Sequence, residues 1–231
     1  MKLSARLEKI LDMIGTDAGV LADIGTDHAY IPIEAVKRGM AERAIACDIA
    51  EGPLKIAGEN VAAEGLTGII ELCIADGLGG IAPGSADTIV IAGMGGALMS
   101  RILTQGHETA YLAKTLILSP QSDFSMFRGT LLRLGFGTVS ETCVFDEGKY
   151  YFIIKAKPGM AAPGYTDFEL EYGRGSLFDE AGAQARAEYI NNQLKTYRAI
   201  AAVLEAESAP AANRRKEELS KLIRDIEGGL K

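Results

Sequence analysis

The sequence has 231 residues, 48% of them hydrophobic and 24% charged, a balance typical of a folded globular protein and unlike a disordered chain. Its net charge of −7 argues against indiscriminate nucleic-acid binding but leaves room for a local basic patch. Three isolated cysteines and two histidines predict neither a disulfide framework nor a metal site. Because no apolar run approaches the ~20 residues of a membrane helix and no signal-peptide core is seen, we expect a cytoplasmic protein without membrane association.

The first two-thirds of the chain alternates between strand-like and helix-like segments. An amphipathic helix comes first, with apolar residues at helical spacing from Leu3 to Ile14. Five short apolar runs follow, at residues 20–24, 43–48, 69–74, 86–92 and 115–119. Helix-compatible segments separate them, at residues 31–38, 53–64, 97–104 and 125–134. This alternation predicts an α/β fold in which helices cover both faces of a parallel sheet.

A hairpin is predicted to end the sheet. Residues 138–145 and 150–156 are both strand-like, and Asp146-Glu147-Gly148 between them is a turn signal. The expected sheet therefore has seven strands, five of them parallel and the last two antiparallel. A dinucleotide-binding Rossmann domain would instead continue with a further helix and a parallel strand.

The chain changes character near residue 160, so we divide it into a domain of residues 1–160 and an appendage of residues 161–231. Lys157-Pro158-Gly159 marks the boundary. Beyond it, two apolar stripes flank a break at residues 208–210 and predict an antiparallel two-helix hairpin, similar to a coiled coil. The stripes comprise Ala183, Ala187, Ile190, Leu194, Tyr197, Ala201 and Leu204, then Leu219, Leu222, Ile226 and Leu230. This hairpin could pack on its own domain, mediate self-association or contact a substrate.

The turn after the first strand indicates the class of ligand, because ligands of open α/β sheets sit at the carboxyl ends of the strands. Gly25 permits a tight turn there. The second and third glycine positions of a dinucleotide fingerprint are occupied by Asp27 and Tyr30. A carboxylate at this place disfavours a pyrophosphate and favours a ligand with an ammonium group. The turn therefore indicates S-adenosylmethionine (SAM) rather than NAD.

Carboxylates and glycines also follow the other parallel strands. Asp48, after the second strand, is placed to accept hydrogen bonds from ribose hydroxyls, and Asp76, after the third, to accept one from an adenine amine. Residues 92–96 after the fourth strand read Ala-Gly-Met-Gly-Gly, which leaves space for a methyl-bearing sulfur and an incoming substrate. A single aspartate here is often only a helix N-cap, but four such turns in series favour a ligand site.

Two stretches are more restrictive than a generic methyltransferase pattern: Gly-Thr-Asp-His-Ala-Tyr at residues 25–30 and Ala-Gly-Met-Gly-Gly at 92–96. With Asp48, Asp76-Gly77-Leu78 and Pro120-Gln121, they make the whole chain resemble the bacterial TrmK family, the tRNA (adenine-22-N1)-methyltransferases. The resemblance implies a class I methyltransferase fold, a Rossmann-like seven-stranded sheet with a C-terminal two-helix appendage. It also implies SAM as methyl donor, tRNA as partner and N1 of a D-arm adenine as acceptor.

The resemblance further implies which residues form the site. Those expected to bind the cofactor are Asp23, Gly25, Thr26, Asp27, His28, Asp48, Ile49, Asp76, Gly77, Leu78, Ala92, Gly93, Met94 and Gly95. Those expected to bind the substrate are Arg6, Gly96, Pro120 and Gln121. Since N1 of a paired adenine is inaccessible, the base should be extruded into the site. There Asp27 would stabilise the cationic product, and His28 and Tyr30 would orient or stack the base, which makes these three the catalytic candidates.

Several alternatives stay open at this stage. Asp27 can serve only the amino group of the cofactor, His28 can be held by a structural hydrogen bond, and Tyr30 can belong to the core. Residues 214–216, Arg-Arg-Lys, can meet tRNA phosphates or form a solvated helix face, since acidic residues interleave with the basic ones. The chain can also methylate another RNA base or a small molecule, or be a non-catalytic RNA-binding scaffold. A nicotinamide oxidoreductase is disfavoured by Asp27.

Overall fold

A seven-stranded sheet forms the centre of the computed structural model, which describes residues 3–160, 164–205 and 210–230. The start of the predicted appendage, residues 161–163, and residues 208 and 209 of the predicted break lie outside the described residues. The strands are β1 (Val20–Ile24), β2 (Arg43–Asp48), β3 (Ile70–Ile74), β4 (Thr88–Met94), β5 (Thr115–Pro120), β6 (Phe136–Asp146) and β7 (Lys149–Pro158). Each lies within two residues of its predicted ends.

The strand order is β3-β2-β1-β4-β5-β7-β6. Strands β1 to β5 are parallel, whereas β7 runs antiparallel between β5 and β6. The predicted terminal hairpin is therefore confirmed. Because the order reverses between β1 and β4, the crevice expected to take a ligand lies at their carboxyl ends.

Helices cover both faces of the sheet, as predicted. They are α1 (Ala5–Ile14), α2 (Tyr30–Lys37), α3 (Glu51–Ala63), α4 (Gly96–Gln105), α5 (His107–Leu112), α6 (Phe124–Arg133), α7 (Asp167–Tyr172), α8 (Glu180–Glu205) and α9 (Pro210–Gly229). One apolar core includes Met99 of α4 and Phe127 of α6, and the other includes Ile10 of α1 and Ile33 of α2. Burial of these two faces holds the strand ends in a fixed relation to one another.

The C-terminal helices form the predicted antiparallel pair, with a third short helix that was not predicted. Ile190 and Leu194 of α8 pack with Ile226 of α9 and Tyr172 of α7 in one buried cluster. The stripe on α9 differs from the prediction at Leu222 and Leu230, which are 41% and 45% exposed, while Ile223 is half-buried and packs on the cluster. Helix α9 contacts α7 as well as α8, and Leu222 lines a small cavity with residues of α7, so its apolar contacts do not follow one two-helix stripe.

A buried ion pair joins this appendage to the sheet. Arg128 of α6 and Glu141 of β6 are each 1% exposed, and Nη2 of Arg128 lies 2.7 Å from Oε2 of Glu141. Nη1 of Arg128 also donates to the carbonyl oxygens of Leu170 and Glu171 at the end of α7, both at 2.9 Å. The guanidinium therefore satisfies helix-end carbonyls that would otherwise lack partners.

Two features are absent from the described ranges. No helix in them combines the length and apolar character needed to cross a membrane. Nor do they contain a group of three or more His, Cys, Asp or Glu side chains that could hold a metal ion.

Candidate active site

Two cavities lie at the carboxyl edge of the sheet and meet at Gly25. The larger, of ≈390 Å³, is lined by ten of the predicted site residues: Arg6, Asp23, Gly25, Thr26, Asp27, His28, Tyr30, Ala92, Gly93 and Gln121. The smaller, of ≈70 Å³, is lined by Gly25 and by Asp48, Ile49, Asp76, Gly77 and Met94. The structure thus brings most of the predicted residues into one continuous site.

The turn between β1 and α2 is tight and strained. The N–H groups of Gly25 and Thr26 both donate to the carbonyl oxygen of Cys47 on β2, at 2.8 and 2.9 Å. Gly25 has φ +76°, and Asp27 and Ala29, which carry a Cβ, have φ +52° and +58°. Left-handed conformations at residues other than glycine are costly and occur preferentially at functional sites. This conformation places Asp27 and His28 at the rim of the larger cavity.

Asp23 is a buried carboxylate on the wall of that cavity, only 6% exposed. Thr26 Oγ1 donates a hydrogen bond of 2.7 Å to its Oδ2. Burial raises the pKa of Asp23 to about 6, against the opposing effect of the Thr26 hydrogen bond. A carboxylate in this environment is stabilised by a cationic ligand, because such a ligand replaces part of the lost hydration.

Arg6 of α1 brings a partly buried cation to the same cavity. Its backbone N–H donates to Oδ2 of Asp146 at 3.0 Å, and its guanidinium stacks over the ring of Tyr151 at 4.8 Å. Burial lowers the pKa of Arg6, while the charges of Asp146 and Asp23 oppose this. Its Nε is buried and makes no hydrogen bond within the described part of the chain. This donor is thus available to an anionic or carbonyl group of a ligand.

His28 and Tyr30 form an aromatic pair at the cavity wall. Their rings stack with centroids 5.2 Å apart and an interplanar angle of 25°. Nε2 of His28 lies 3.4 Å from Oδ2 of Asp27, a carboxylate whose side chain is 66% exposed. Nδ1 of His28 is buried without a hydrogen-bond partner among the described residues. Both residues are half-buried and line the larger cavity, and Tyr30 also packs on the core that contains α1 and α2.

The smaller cavity carries the other two aspartates. Oδ1 of Asp48 accepts a hydrogen bond from the Ala50 N–H at 2.9 Å, which holds the carboxylate at the end of β2. The Asp76 carboxylate forms two hydrogen bonds with Arg101 of α4, of 3.1 and 3.2 Å. Arg101 was not predicted as a site residue, since it lies 25 positions along the chain and no motif marks it.

The loop after β5 closes the larger cavity. The N–H of Gln121 donates to the carbonyl oxygen of Met94 at 2.9 Å, and the N–H of Gly96 to that of Ser122 at 3.0 Å. A Cβ on Gly96 would lie 2.5 Å from this Ser122 oxygen, so only glycine allows the two loops to approach so closely. The exposed side chain of Gln121 is left at the mouth of the cavity.

Four predicted residues line neither cavity. Gly95 and Gly96 form the start of α4 against the β5 loop, and Pro120 is buried at the end of β5. Leu78 is 3% exposed and belongs to the core beneath α4. These four residues support the walls of the site in this structure.

Known proteins provide an independent comparison. The methyltransferase-domain family matches residues 3–154. The chain is 38% identical over 173 residues to the tRNA (adenine(22)-N(1))-methyltransferase of Bacillus subtilis strain 168. The aligned residues make up 75% of this chain and 72% of the B. subtilis protein.

Solved structures agree over nearly the full length. Streptococcus pneumoniae Sp1610 in complex with S-adenosyl-L-methionine has a TM-score of 0.84, 30% identity and full coverage of both chains. The M1A22 tRNA methyltransferase TrmK of B. subtilis has a TM-score of 0.82 at 29% identity, covering 98% of each chain. TrmK of M. capricolum, in complex with S-adenosyl-homocysteine, has a TM-score of 0.83 at 26% identity, covering 99% and 97%. Together with the fold and the site at the strand ends, these relatives show that the chain belongs to the TrmK family of class I tRNA (adenine-22-N1)-methyltransferases.

Proposed function

We propose that this protein transfers a methyl group from SAM to N1 of adenine 22 in the D arm of tRNA. The observation that carries the proposal is the pair of cavities meeting at Gly25: the smaller is lined by carboxylates that suit the hydroxyl and amine groups of a nucleoside, and the larger has room for a charged amino-acid end and an incoming base. The relative from B. subtilis, named for this reaction, supports the choice of substrate.

The residues present fit SAM on structural grounds. In the larger cavity, the buried Asp23 carboxylate suits the ammonium group, and the free Nε of Arg6 suits the carboxylate of the methionine moiety. In the smaller cavity, Asp48 suits the ribose hydroxyls. Asp76 suits the adenine amine, because a carboxylate has about four acceptor sites and the Arg101 fork occupies only two. When bound, SAM supplies the methyl group already activated on a sulfonium.

Methyl transfer of this kind depends on positioning, because the donor carbon needs no further activation. N1 of a neutral adenine has a free lone pair, so no general base acts before the attack. The chain must instead hold the extruded base with N1 directed into the larger cavity. The stacked pair of His28 and Tyr30 gives the base a flat aromatic wall, and Gln121 at the mouth offers an amide to its edge.

Asp27 is placed to stabilise the charge that develops on the adenine. Its carboxylate is at the cavity rim, and Nε2 of His28 lies 3.4 Å from its Oδ2. Methylation at N1 makes the base cationic, so a carboxylate beside the base lowers the energy of the transition state and of the product. Asp27 can also accept a proton from the exocyclic amine once the ring is charged.

Methyl transfer to an unmodified tRNA transcript tests the proposal. Labelled SAM is incubated with the protein and the transcript, and the product is located by the reverse-transcription stop that a blocked Watson–Crick edge causes. We expect a stop at adenine 22, and none on a transcript with guanine at that position. Asp27→Ala should lower kcat by roughly 10²-fold, in the range seen when one group that stabilises transition-state charge is removed.

The matched control is Asp17→Ala, an exposed aspartate just before β1, at the opposite edge of the sheet. Both variants should bind SAM like the unmodified protein in calorimetry. SAM binding without methyl transfer to any tRNA would refute the tRNA proposal and leave another RNA base, a small molecule or a non-catalytic role. Undiminished kcat in Asp27→Ala would limit Asp27 to the cofactor or to no role in the reaction.

Two further proposals concern the location and the oligomeric state of the protein. We propose a cytoplasmic location because the acceptor is tRNA. Self-association through α8 and α9 stays a prediction, for which sedimentation velocity over a range of protein concentrations is the direct measurement.

A further inference from the structure

A second concave surface lies beside the active site, between the α/β domain and α8. This groove, of ≈520 Å³, is bounded by the loop after β5, the start of β7 and one face of α8. Aromatic rings dominate its lining, with Phe124, Tyr150, Tyr189 and Tyr197, and Gln121 and Asn192 add amide groups.

The groove is continuous with the active site through Gln121. This residue lines both the larger cavity and the groove, so the two are adjacent there. A base that enters the larger cavity stays attached to its neighbours in the polynucleotide. One of those neighbours must therefore pass close to Gln121 and the surfaces next to it.

The aromatic rings of the groove are held in place by their own contacts. The rings of Tyr150 and Tyr189 are 5.7 Å apart, and Tyr189 packs edge-on against Phe152 at 5.3 Å. The Tyr150 hydroxyl donates to Oε2 of Glu188 at 3.3 Å and accepts from Nδ2 of Asn192 at 3.4 Å. A side chain fixed in this way loses little conformational freedom when a ligand stacks on it.

The charges of the groove suit a polyanion. Lys149 provides a cation among the lining residues, and the Glu188 carboxylate beside the groove accepts the hydrogen bond of the Tyr150 hydroxyl. Burial raises the pKa of Tyr150, and that of Tyr189 to about 12, so both phenols are uncharged at neutral pH. Uncharged aromatic faces, amides and a lysine are the groups that bind single-stranded nucleic acid.

We propose that this groove binds the base of an unpaired nucleotide next to the target adenine, stacked on Tyr150 and contacted by the amides. The proposal rests on the proposed function, since it takes tRNA as the substrate. It adds a second nucleotide site to that of the extruded adenine. Holding a neighbour in the groove would keep the target base extruded, because the strand could not close back into a stack.

A binding experiment with altered tRNA separates base stacking from general affinity. Fluorescence anisotropy measures the affinity of labelled tRNA for the protein and for its Tyr150→Ala and Tyr150→Phe variants. The transcripts are the intact tRNA and two others, with an abasic site on one or the other side of adenine 22. We expect Tyr150→Ala to weaken binding of intact tRNA about tenfold, the scale of one lost base–aromatic stack. This loss should vanish on one of the abasic transcripts, and Tyr150→Phe should bind like the unmodified protein.

Two further variants guard the interpretation. Thr196→Trp, at an exposed position of α8, fills the groove without removing any aromatic residue and should also weaken binding of intact tRNA. Tyr111→Ala removes a tyrosine of α5 that lines neither the groove nor the active site and should have no effect on tRNA binding. SAM affinity should be unchanged in all four variants.

The outcomes are distinct. Equal weakening on all three transcripts would show that Tyr150 does not contact a base, and unmodified affinity in Tyr150→Ala and Thr196→Trp would show that RNA does not use the groove. Either result overturns the proposal, and a change of oligomeric state in those variants would assign the groove to a protein contact instead. Absence of methyl transfer by the unmodified protein would refute the proposed function. Normal methyl transfer together with unchanged tRNA affinity in Tyr150→Ala and Thr196→Trp would refute only the proposal about the groove.

Discussion

Replacing Gly25 by alanine tests whether the two cavities act as one cofactor site. Gly25 lines both cavities and has φ +76°, in the left-handed region. A Cβ built there would lie 2.2 Å from Cε of Met94, whose side chain lines the smaller cavity. The substitution therefore strains the backbone and also pushes Met94 from its position.

The two effects differ in what they cost. A residue with a Cβ in the left-handed conformation lowers the free energy of unfolding by roughly 1–2 kcal/mol. For a chain of this size, each kcal/mol lowers Tm by about 2–4 °C. The collision adds little to that cost because Cε is the end of a flexible side chain and can rotate away. Because Met94 lines the smaller cavity, its displacement changes the shape of the proposed SAM site, and we expect SAM affinity to fall at least about tenfold, or 1.4 kcal/mol.

Calorimetric titration with SAM and thermal denaturation measure the two effects separately. Gly65→Ala is the matched control, since Gly65 has φ +71° and a Cβ there would meet no atom within 4 Å. It should lower Tm to a similar extent and leave SAM affinity unchanged. An unchanged Kd for SAM in Gly25→Ala, or an equal loss of affinity in the control, would refute the reasoning.

Two further predictions concern buried charges. Arg128→Met should destabilise the fold by about 3–5 kcal/mol because it leaves the Glu141 carboxylate buried without its partner. Arg128→Met combined with Glu141→Leu should recover much of that loss in thermal denaturation; equal stability of the single and double variants would contradict this. Burial raises the pKa of Asp23 from its ordinary 3.8 to about 6 in the folded protein, so its contribution to stability is present below pH 3.8 and is lost as pH rises through the folded pKa. Asp23→Asn should remove this loss, roughly 3 kcal/mol between about pH 4 and pH 7, and chemical denaturation that gave both proteins the same pH profile would exclude it.

The parallel strands and their ends could be predicted because their signals are local. Each strand is a short apolar run closed by polar residues or glycine, and the order of strands and helices then leaves few arrangements. Since ligands bind at the carboxyl ends of such strands, residues such as Asp48 and Asp76 could be assigned from their positions alone. The smaller cavity is lined by both.

The features that were missed depend on contacts between distant segments. Helix α7 has six residues, begins with a capping box between Thr166 and Glu169, and ends on the guanidinium of Arg128. A helix this short is not stable by itself, and only the folded arrangement brings Arg128 to the end of α7. The local sequence of α7 therefore did not predict a helix. The same holds for Arg101 of α4, which hydrogen-bonds Asp76, and for the contact of α9 with α7, which the apolar stripe on α9 did not indicate.

The buried ion pair connects the mouth of the candidate active site to the appendage through α6. This helix begins at Phe124, directly after the loop that carries Gln121, and four residues further on Arg128 binds Glu141 and the end of α7. The helix at the mouth of the site is therefore also the one that holds the appendage. Because α8 forms the far wall of the groove, the proposed groove site and the proposed position of the target base would be held in a fixed relation by packed and hydrogen-bonded elements. Under the proposed function, such preorganisation would spend less binding energy on ordering the protein and leave more to extrude the adenine.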